Sequence, residues 1–340
     1  MVEYCKKLAI QYQSRPKQSW RVIEDLGTMN GGLNAGIAKV RCSNPNARGI
    51  VFIEKRFGEK ELKHKIAHRE IQLLHQISDH KNIVTMVDHF LNETYMRAAL
   101  YLEFCDIGSL DKVVYEVAQG RHINERKVWR WFYQICNAIA YCHCGPDPRM
   151  SDDEILQSGW GRIYHRDIKP GNILLTREDG QIVAKLADFG CAVSEDYLAQ
   201  EKNEQRAKRQ QVGTKGYDAP EYPYFSGASD VWQLGVTIIC VCTGIMWPWS
   251  NMNPSGERWD ESRPAEIKYS RTLSSIIKLC LVRNPRMRST AYQVLKALDE
   301  ESVIMTSKLP KDEFPLQVFD PYDQQSLVPR HPGLVFLPGY

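Results

Sequence analysis

The chain has 340 residues and a formal net charge of +3, and 43% of its residues are hydrophobic and 25% charged. This composition is typical of globular proteins, and the length favours two lobes or domains over one compact core. The net charge is small, and basic and acidic residues are interleaved. This excludes partners that are bound mainly through charge, such as nucleic acid or a membrane surface.

Residues 20–104 have the pattern of short strands around one helix. Segments rich in β-branched and aromatic residues predict strands at 20–26, 35–42, 49–57, 82–90 and 99–104. Between the third and fourth strands, Ile66, Glu70 and Leu73 recur at helical spacing and predict the helix. We therefore expect a small β-rich lobe over 20–104, preceded by an N-terminal extension over residues 1–19.

After Cys105 the pattern becomes mainly helical. The periodicity predicts helices at 125–143, 228–244, 265–282 and 289–300. Residues 145–160 form a polar insertion with turn signals, and residues 301–340 are rich in proline and are expected to form a tail. The fold class is therefore predicted to be α+β, with a larger helical lobe over 105–300.

Two features could indicate a membrane span or a metal site. The apolar run 231–249 approaches the length of a membrane span, but Gln233 and the Trp-Pro-Trp end favour a helix buried inside the lobe. "CHC" at 142–144 lacks a second ligand pair at zinc-binding spacing. The ten cysteines, mostly within apolar runs, and the lack of a signal-peptide pattern predict free thiols and a location in the cytoplasm, the nucleus or both.

The stretch "LGTMNGGLNAGIAKV", residues 26–40, contains four glycines. Such a stretch either holds phosphates through its backbone or forms a flexible turn between strands, because glycine tolerates positive φ angles. Leu26-Gly27 opens the loop in one interpretation, and Gly31 opens it in the other. Both interpretations end the loop at Gly36.

Six further motifs follow in a fixed order. They are "FIEK" with Lys55, "HREIQLL" with Glu70, "YHRDIKPGNILL" at 164–175, "LADFG" at 186–190, "GTKGYDAPE" at 213–221 and "SDVWQLG" at 229–235. In this order, over about residues 20–300, the chain resembles the eukaryotic protein kinases of the serine/threonine class. The resemblance implies the two-lobed protein kinase fold.

The resemblance also implies a set of catalytic residues and cofactors. Lys55 contacts the α- and β-phosphates of ATP, and Glu70 holds Lys55 in place. Asp167 orients or deprotonates the acceptor hydroxyl, and Lys169 stabilises the transferred phosphoryl group. Mg²⁺, with Mn²⁺ as the alternative, is held by two side chains with oxygen ligands, Asn172 and Asp188.

The adenine pocket is assigned by resemblance alone. Leu102 stands at its back, and the backbones of Glu103 and Cys105 pair with the adenine edge. Ala38 takes the place of the usual valine above the adenine. Ile53 takes the place of the usual alanine before the lysine and adds bulk to the pocket.

The resulting expectation is an active serine/threonine kinase, monomeric, that docks its protein substrate on residues 213–221. The alternative is a pseudokinase that binds ATP or a partner without transferring phosphate, which the unusual glycine loop and Ile53 favour. A small-molecule kinase is disfavoured by "GTKGYDAPE". Residues 199–212 contain no Ser, Thr or Tyr, so we expect basal activity or control by a partner or by the chain's own tail.

Overall fold

The computed structural model describes residues 12–27, 35–200, 212–248 and 260–308. Its N-terminal part is a five-stranded antiparallel sheet in the order β1-β2-β3-β5-β4. The strands are β1 (Trp20–Gly27), β2 (Gly36–Cys42), β3 (Phe52–Phe57), β4 (Met86–Asn92) and β5 (Arg97–Glu103). Two helices, α1 (Glu59–Lys63) and α2 (Ile66–Ile77), connect β3 to β4.

The remainder is mainly helical. Its helices are α3 (Leu110–Ala118), α4 (Glu125–Cys144), α5 (Asp152–Ser158), α6 (Glu195–Gln200), α7 (Gly227–Thr243), α8 (Arg271–Cys280) and α9 (Ala291–Lys308). A small sheet joins β6 (Gly108–Ser109), β8 (Ile173–Glu178) and β9 (Gln181–Leu186), and β7 (Ile163–Tyr164) pairs with β10 (Val193–Ser194). The predicted α+β class is confirmed.

Helix α7 forms the centre of the helical part. All fourteen of its residues from Ser229 to Cys242 are buried, so the first part of the apolar run, up to Thr243, lies in a core helix, as predicted. Within the described ranges, no helix combines the length and the apolar character that crossing a membrane requires. The nine cysteines in these ranges are free, and no cluster of metal-ligating side chains appears there.

Two helix boundaries differ from the predictions. The helix predicted from residue 265 begins at Arg271, because the guanidinium of Arg263 binds the carbonyls of Glu266, Ile267 and Tyr269 and holds that stretch in a turn. Helix α9 continues to Lys308, beyond the expected boundary at residue 300.

The polar insertion at 145–160 contains a helix that was not predicted. Ser151 and Glu154 form a reciprocal capping box at the start of α5, and Gly159 ends the helix in a left-handed conformation. Both signals are present in the sequence, but seven residues are too few to show a helical period.

Candidate active site

Three charged side chains meet between the sheet and the helical part. Lys55 on β3 lies 2.7 Å and 2.9 Å from the carboxylate oxygens of Glu70 on α2, and 2.8 Å from Oδ1 of Asp188. The Lys55 and Glu70 side chains are 6% and 2% exposed, whereas that of Asp188 is 40% exposed. The structure therefore brings together three residues that lie far apart in the sequence.

The charges of this cluster depend on one another. Burial alone would lower the pKa of Lys55, but the charges of Asp188 and Glu70 outweigh burial and raise it. Burial alone would raise the pKa of Asp188, but the charge and hydrogen bond of Lys55 lower it to about 2. Lys55 is therefore cationic and Asp188 anionic at neutral pH, the charge states that binding of a polyphosphate and a divalent cation requires.

Asp167 lies in a network of side-chain hydrogen bonds. Its Oδ1 accepts from the hydroxyl of Thr214 at 2.7 Å, and its Oδ2 accepts from the amide of Asn172 at 3.0 Å. Lys169 Nζ lies 3.1 Å from Asp167 Oδ2 and donates to Thr214 at 2.7 Å. Asp167 is thus held between a lysine and a threonine, with its side chain 9% exposed.

Asp230 on α7 fixes the backbone of the loop that carries Asp167. Its carboxylate accepts from the backbone N–H groups of His165 and Arg166 at 2.9 Å and 2.8 Å, and it lies 2.9 Å from Nε2 of His143. His165 also packs edge-on against Phe189, with ring centroids 4.8 Å apart. Burial lowers the pKa of His165, so the imidazole is neutral. Its Nε2 carries the proton and donates to the carbonyl of Ala187.

The segment after residue 212 is anchored near its start by the hydrogen bonds of Thr214 with Asp167 and Lys169, and at its end by an ion pair. Gly213 has a φ of +105°, and a Cβ there would lie 2.8 Å from the carbonyl oxygen of Arg166. At the other end, Arg288 binds both oxygens of Glu221, at 2.7 Å and 2.9 Å. Between the two anchors, burial and the charge of Asp167 raise the pKa of the half-buried Asp218 to about 6.

Of the stretch 199–212, which the sequence analysis singled out for its lack of hydroxyl side chains, residues 201–211 lie outside the described residues. Helix α6 leads into this stretch, and there the ring of Tyr197 lies beneath the guanidinium of Arg69 at 5.6 Å. Glu195 binds Arg162 and the hydroxyl of Tyr164. The Nε of Arg166 donates to the carbonyl of Cys191 at 2.7 Å.

The register of β2 corrects one prediction for the adenine pocket. Ile37 pairs with Lys55 and Lys39 pairs with Ile53, whereas Ala38 pairs with Glu54. Directly paired residues share a face of the sheet, so Ala38 lies on the face opposite Lys55. It is fully buried there in a cluster with Ala99 and Tyr101, and the expectation that it covers the adenine is wrong.

Lys39 occupies the cleft face instead. Its ammonium pairs with Glu24 at 2.8 Å and lies 5.4 Å from the ring centroid of Phe104. Strand β1 ends at Gly27, just after Leu26, and β2 begins at Gly36. Residues 28–35 therefore connect the two strands, and Gly31 is one of residues 28–34, which lie outside the described residues.

At the back of the cleft, Leu102 pairs with Ile53 across β5 and β3. The next residue, Glu103, is held from behind by Lys185 on β9, which donates to both carboxylate oxygens at 2.9 Å. Its backbone N–H donates to the carbonyl of Thr85. Cys105 is buried, and burial raises the pKa of its thiol to about 12, so it is neutral.

Asp188 and Asn172 fit the requirements of a magnesium site. Both offer side-chain oxygens, and the exposure of Asp188 leaves its carboxylate accessible from the cleft. Two protein ligands are typical of Mg²⁺ sites that are completed by substrate phosphates and water.

Three residues around the site were not predicted: His143, Lys185 and Lys39. His143 contacts Asp230, and Lys185 contacts Glu103. Each contact joins elements far apart in the chain, so no local sequence pattern marks either residue. Strand alternation places Lys39 on one face of β2 together with Ile37. The sequence does not reveal which face turns toward the cleft.

Comparisons with known proteins agree with these motifs. A family model described as the protein kinase domain matches residues 36–298. The chain is 27% identical to the probable serine/threonine-protein kinase nek2 of Dictyostelium discoideum, over 80% of this chain and 61% of the relative. It is 30% identical to serine/threonine-protein kinase 10-A of Xenopus laevis, over 83% of this chain and 27% of the relative. The chain therefore spans only part of the length of these relatives.

Proposed function

Because the chain belongs to the protein kinase family, we propose that it is a serine/threonine protein kinase that transfers the γ-phosphoryl group of ATP to protein hydroxyls. One observation carries this proposal. The charged cluster of Lys55, Glu70 and Asp188, where the sheet meets the helical part, and the hydrogen-bonded Asp167 in the helical part are both assembled. A site that only bound a nucleotide would have no use for the second arrangement.

The cluster supplies the charges that a triphosphate requires. Lys55 places a buried cation against the phosphates, and Glu70 prevents it from swinging away. Mg²⁺, held by Asp188 and Asn172, would neutralise charge on the phosphate oxygens during transfer. Such preorganised charges are more effective in a water-poor cleft than in bulk solvent.

Asp167 and its partners act on the acceptor. The carboxylate accepts the proton of the serine or threonine hydroxyl while the hydroxyl oxygen bonds to the γ-phosphorus. The bond from that phosphorus to the bridging oxygen breaks, and ADP leaves. Lys169, held by Thr214 and Asp167, brings a cation to the charge that develops on the phosphoryl group.

The segment between Gly213 and Glu221 is the docking surface that we propose for the substrate. Its two ends are fixed by the hydrogen bonds of Thr214 with Asp167 and Lys169 and by the pair of Glu221 with Arg288. Asp218, between them, carries a negative charge at neutral pH and is close enough to Asp167 for the two charges to interact. We therefore propose that a basic residue directly after the acceptor is favoured.

One observation favours the second candidate, a module that binds nucleotide without transferring phosphate. Ile53 and Lys39, on the cleft face, bring bulk and charge to a surface that is otherwise expected to hold a purine ring. Either residue could weaken nucleotide binding while the catalytic loop remains intact.

A phosphate-transfer assay with γ-labelled ATP, Mg²⁺ and a serine- and threonine-containing peptide library tests the proposal. Wild-type protein should label serine and threonine, and Asp188→Ala should abolish labelling while still folding. Equal labelling by both proteins would indicate a contaminating kinase, and nucleotide binding without labelling would favour the second candidate.

A further inference from the structure

Residues 12–20, which we call the N-terminal strap, lie across the sheet and against α2. Strand β4 is at the edge of the sheet, and its outer edge is covered by the strap. The backbone N–H of Leu91 donates to the carbonyl of Gln13 at 2.8 Å. The chain then crosses to Trp20, whose ring stacks on Tyr101 of β5 with centroids 4.3 Å apart.

A buried carboxylate fixes the strap in place. Asp88 on β4 is 4% exposed. Its two oxygens accept from the backbone N–H groups of Lys17 and Gln18 and from the indole N–H of Trp20, at 3.0–3.2 Å. A buried carboxylate without such donors is costly. Because three of its donors come from the strap, the strap is part of the folded sheet and not an appendage.

The start of the strap contacts α2. The ring of Tyr12 packs edge-on against His68, with centroids 5.2 Å apart, and its hydroxyl donates to the carbonyl of His68 at 3.3 Å. Tyr12 also packs against the main hydrophobic core. His68 precedes Glu70, the partner of Lys55, by two positions, so the strap touches the helix close to the residue on which the charged cluster depends.

The N-terminal half of α2 contacts Glu93, through Lys65 at 2.8 Å and His68 at 2.9 Å, and its Arg69 lies over the ring of Tyr197, but no side chain caps its N-terminus. Lys65, at its N-cap, has a left-handed backbone, with φ of 55°, and makes no capping hydrogen bond through its side chain. The first turn contains no acidic residue, so the helix dipole is not neutralised there. The C-terminal half, in contrast, is attached to the helical part of the protein by the hydrogen bond from Gln76 to the carbonyl of Gly161, at 2.8 Å.

We propose that the N-terminal strap sets the position of α2, and thereby the Lys55–Glu70 pair, with Tyr12 as the positioning residue. Its effect on phosphate transfer rests on the function proposed above, whereas its effect on α2 does not. Removal of the Tyr12 ring should allow the first turns of α2 to move outward while Gln76 holds the last turn. Glu70 would then lose Lys55 for part of the time.

The test compares Tyr12→Ala with Tyr12→Phe in the full chain, and uses Tyr95→Ala as the control. Tyr95 lies in the same part of the protein and is 75% exposed. Two measurements are made on each protein: amide hydrogen exchange along the chain, and kcat and KM for peptide phosphorylation.

For Tyr12→Ala we expect exchange within residues 66–77 to accelerate about tenfold, because loss of one aromatic contact shifts a local opening equilibrium by that order. We expect kcat to fall by a similar factor, while KM for the peptide changes less than about twofold. Tyr12→Phe keeps the ring and should behave nearly as wild type, and Tyr95→Ala should change neither measurement.

Unchanged exchange in residues 66–77 of Tyr12→Ala would overturn the proposal, as would acceleration spread evenly over β1–β5, which would indicate general destabilisation. Tyr12→Phe as impaired as Tyr12→Ala would also contradict it, since the ring contact is then not the cause. If wild-type protein transfers no phosphate, the exchange measurement still decides the role of the strap, and only the proposed function fails.

Discussion

On the helical side of the cleft, the carboxylate of Asp167 receives contacts from Asn172, Lys169 and Thr214 and is almost completely buried. On the sheet side, Lys39 pairs with a glutamate that is 53% exposed. The first arrangement is fixed by two residues close in sequence, Lys169 and Asn172, by the more distant Thr214 and by the buried helix α7. The second depends on the register of three strands. The position of Asp167 is therefore held more firmly than that of Lys39, although the Lys55–Glu70 pair on the sheet side is as deeply buried as Asp167.

The largest expected effect is the difference in activity between variants of two lysines, Lys55 and Lys39, which lie on the cleft face of neighbouring strands. Lys55→Met should lower phosphate transfer by about 10²–10³, because it removes a preorganised cation from the phosphates. Lys39→Met should change KM for ATP by less than about tenfold and leave kcat similar, since an exposed pair contributes little. Steady-state kinetics with both variants checks this. Equal losses of kcat would place Lys39 in the catalytic machinery and contradict the difference between the two lysines.

The second prediction compares two arginines that each bind a carboxylate through two hydrogen bonds. Arg288→Ala should lower the free energy of unfolding by about 3–5 kcal/mol, because Glu221 is left partly buried without its counterion. Arg149, paired with Asp147, is 75% exposed at its side chain, and Arg149→Ala should leave stability unchanged. Urea denaturation of both variants measures the difference. A small loss for Arg288→Ala would show that the segment is anchored elsewhere.

Much of this arrangement was predictable from sequence. The features predicted best are those whose contacts join residues close together in the sequence. The motifs around Asp167 and Asp188 are local, so their loops could be recognised from a few adjacent residues. Helix α7 was predicted because apolar residues cover all its faces. The pairing of Lys55 with Glu70 was implied by the resemblance to the protein kinases, and the helical spacing placed Glu70 on the side of α2 that faces the sheet.

The failures have a common physical cause. The side of the sheet on which Ala38 lies changes with a shift of one residue in strand register, and no residue of β2 reveals that register. The attachment of residues 12–20 to Asp88 and α2 involves contacts between distant parts of the chain, some of them made by backbone groups that have no sequence signature. Helix α5 had the capping signals but lacked the length that would confirm them.

The third prediction compares two glycines with positive φ. Gly213→Ala should lower kcat about tenfold, because the new methyl group would push the segment away from Arg166 in addition to straining its backbone. Gly180, in the turn between β8 and β9, has a φ of +73°, and a Cβ added there would meet no atom within 4 Å. Gly180→Ala should therefore cost stability without lowering kcat. Similar kcat values for both variants would show that the close approach is unimportant.

The fourth prediction concerns the pH dependence of substrate choice. The pKa of Asp218 is raised to about 6, so the residue is charged above that pH and neutral below it. The ratio of kcat/KM for a peptide with arginine after the acceptor to that for alanine should be about threefold to tenfold at about pH 7.5. It should approach one as the pH falls below about 6. Asp218→Asn should give a ratio near one at every pH, and a pH-dependent ratio in that variant would assign the effect to another group.

The smallest expected effect concerns Ile53, on the sheet side of the cleft. Ile53→Ala should lower KM for ATP about threefold without changing kcat, because it widens the space on the cleft face by a few methyl-sized groups. Ile50, which is 51% exposed just before β3, offers the control Ile50→Ala, for which no change is expected. An increase in KM for Ile53→Ala would mean that Ile53 supplies a needed contact with the nucleotide.

The central claim is that the cluster around Lys55 and the network around Asp167 together transfer phosphate. Rapid-quench measurement of a single turnover tests it most directly, with enzyme in excess over labelled ATP and a saturating serine/threonine peptide pool. We predict that label moves from ATP to peptide in wild-type protein, and that Asp167→Asn binds the nucleotide with similar affinity but forms phosphopeptide at least about a hundredfold more slowly. Tight binding of ATP by wild-type protein without formation of phosphopeptide would contradict the claim.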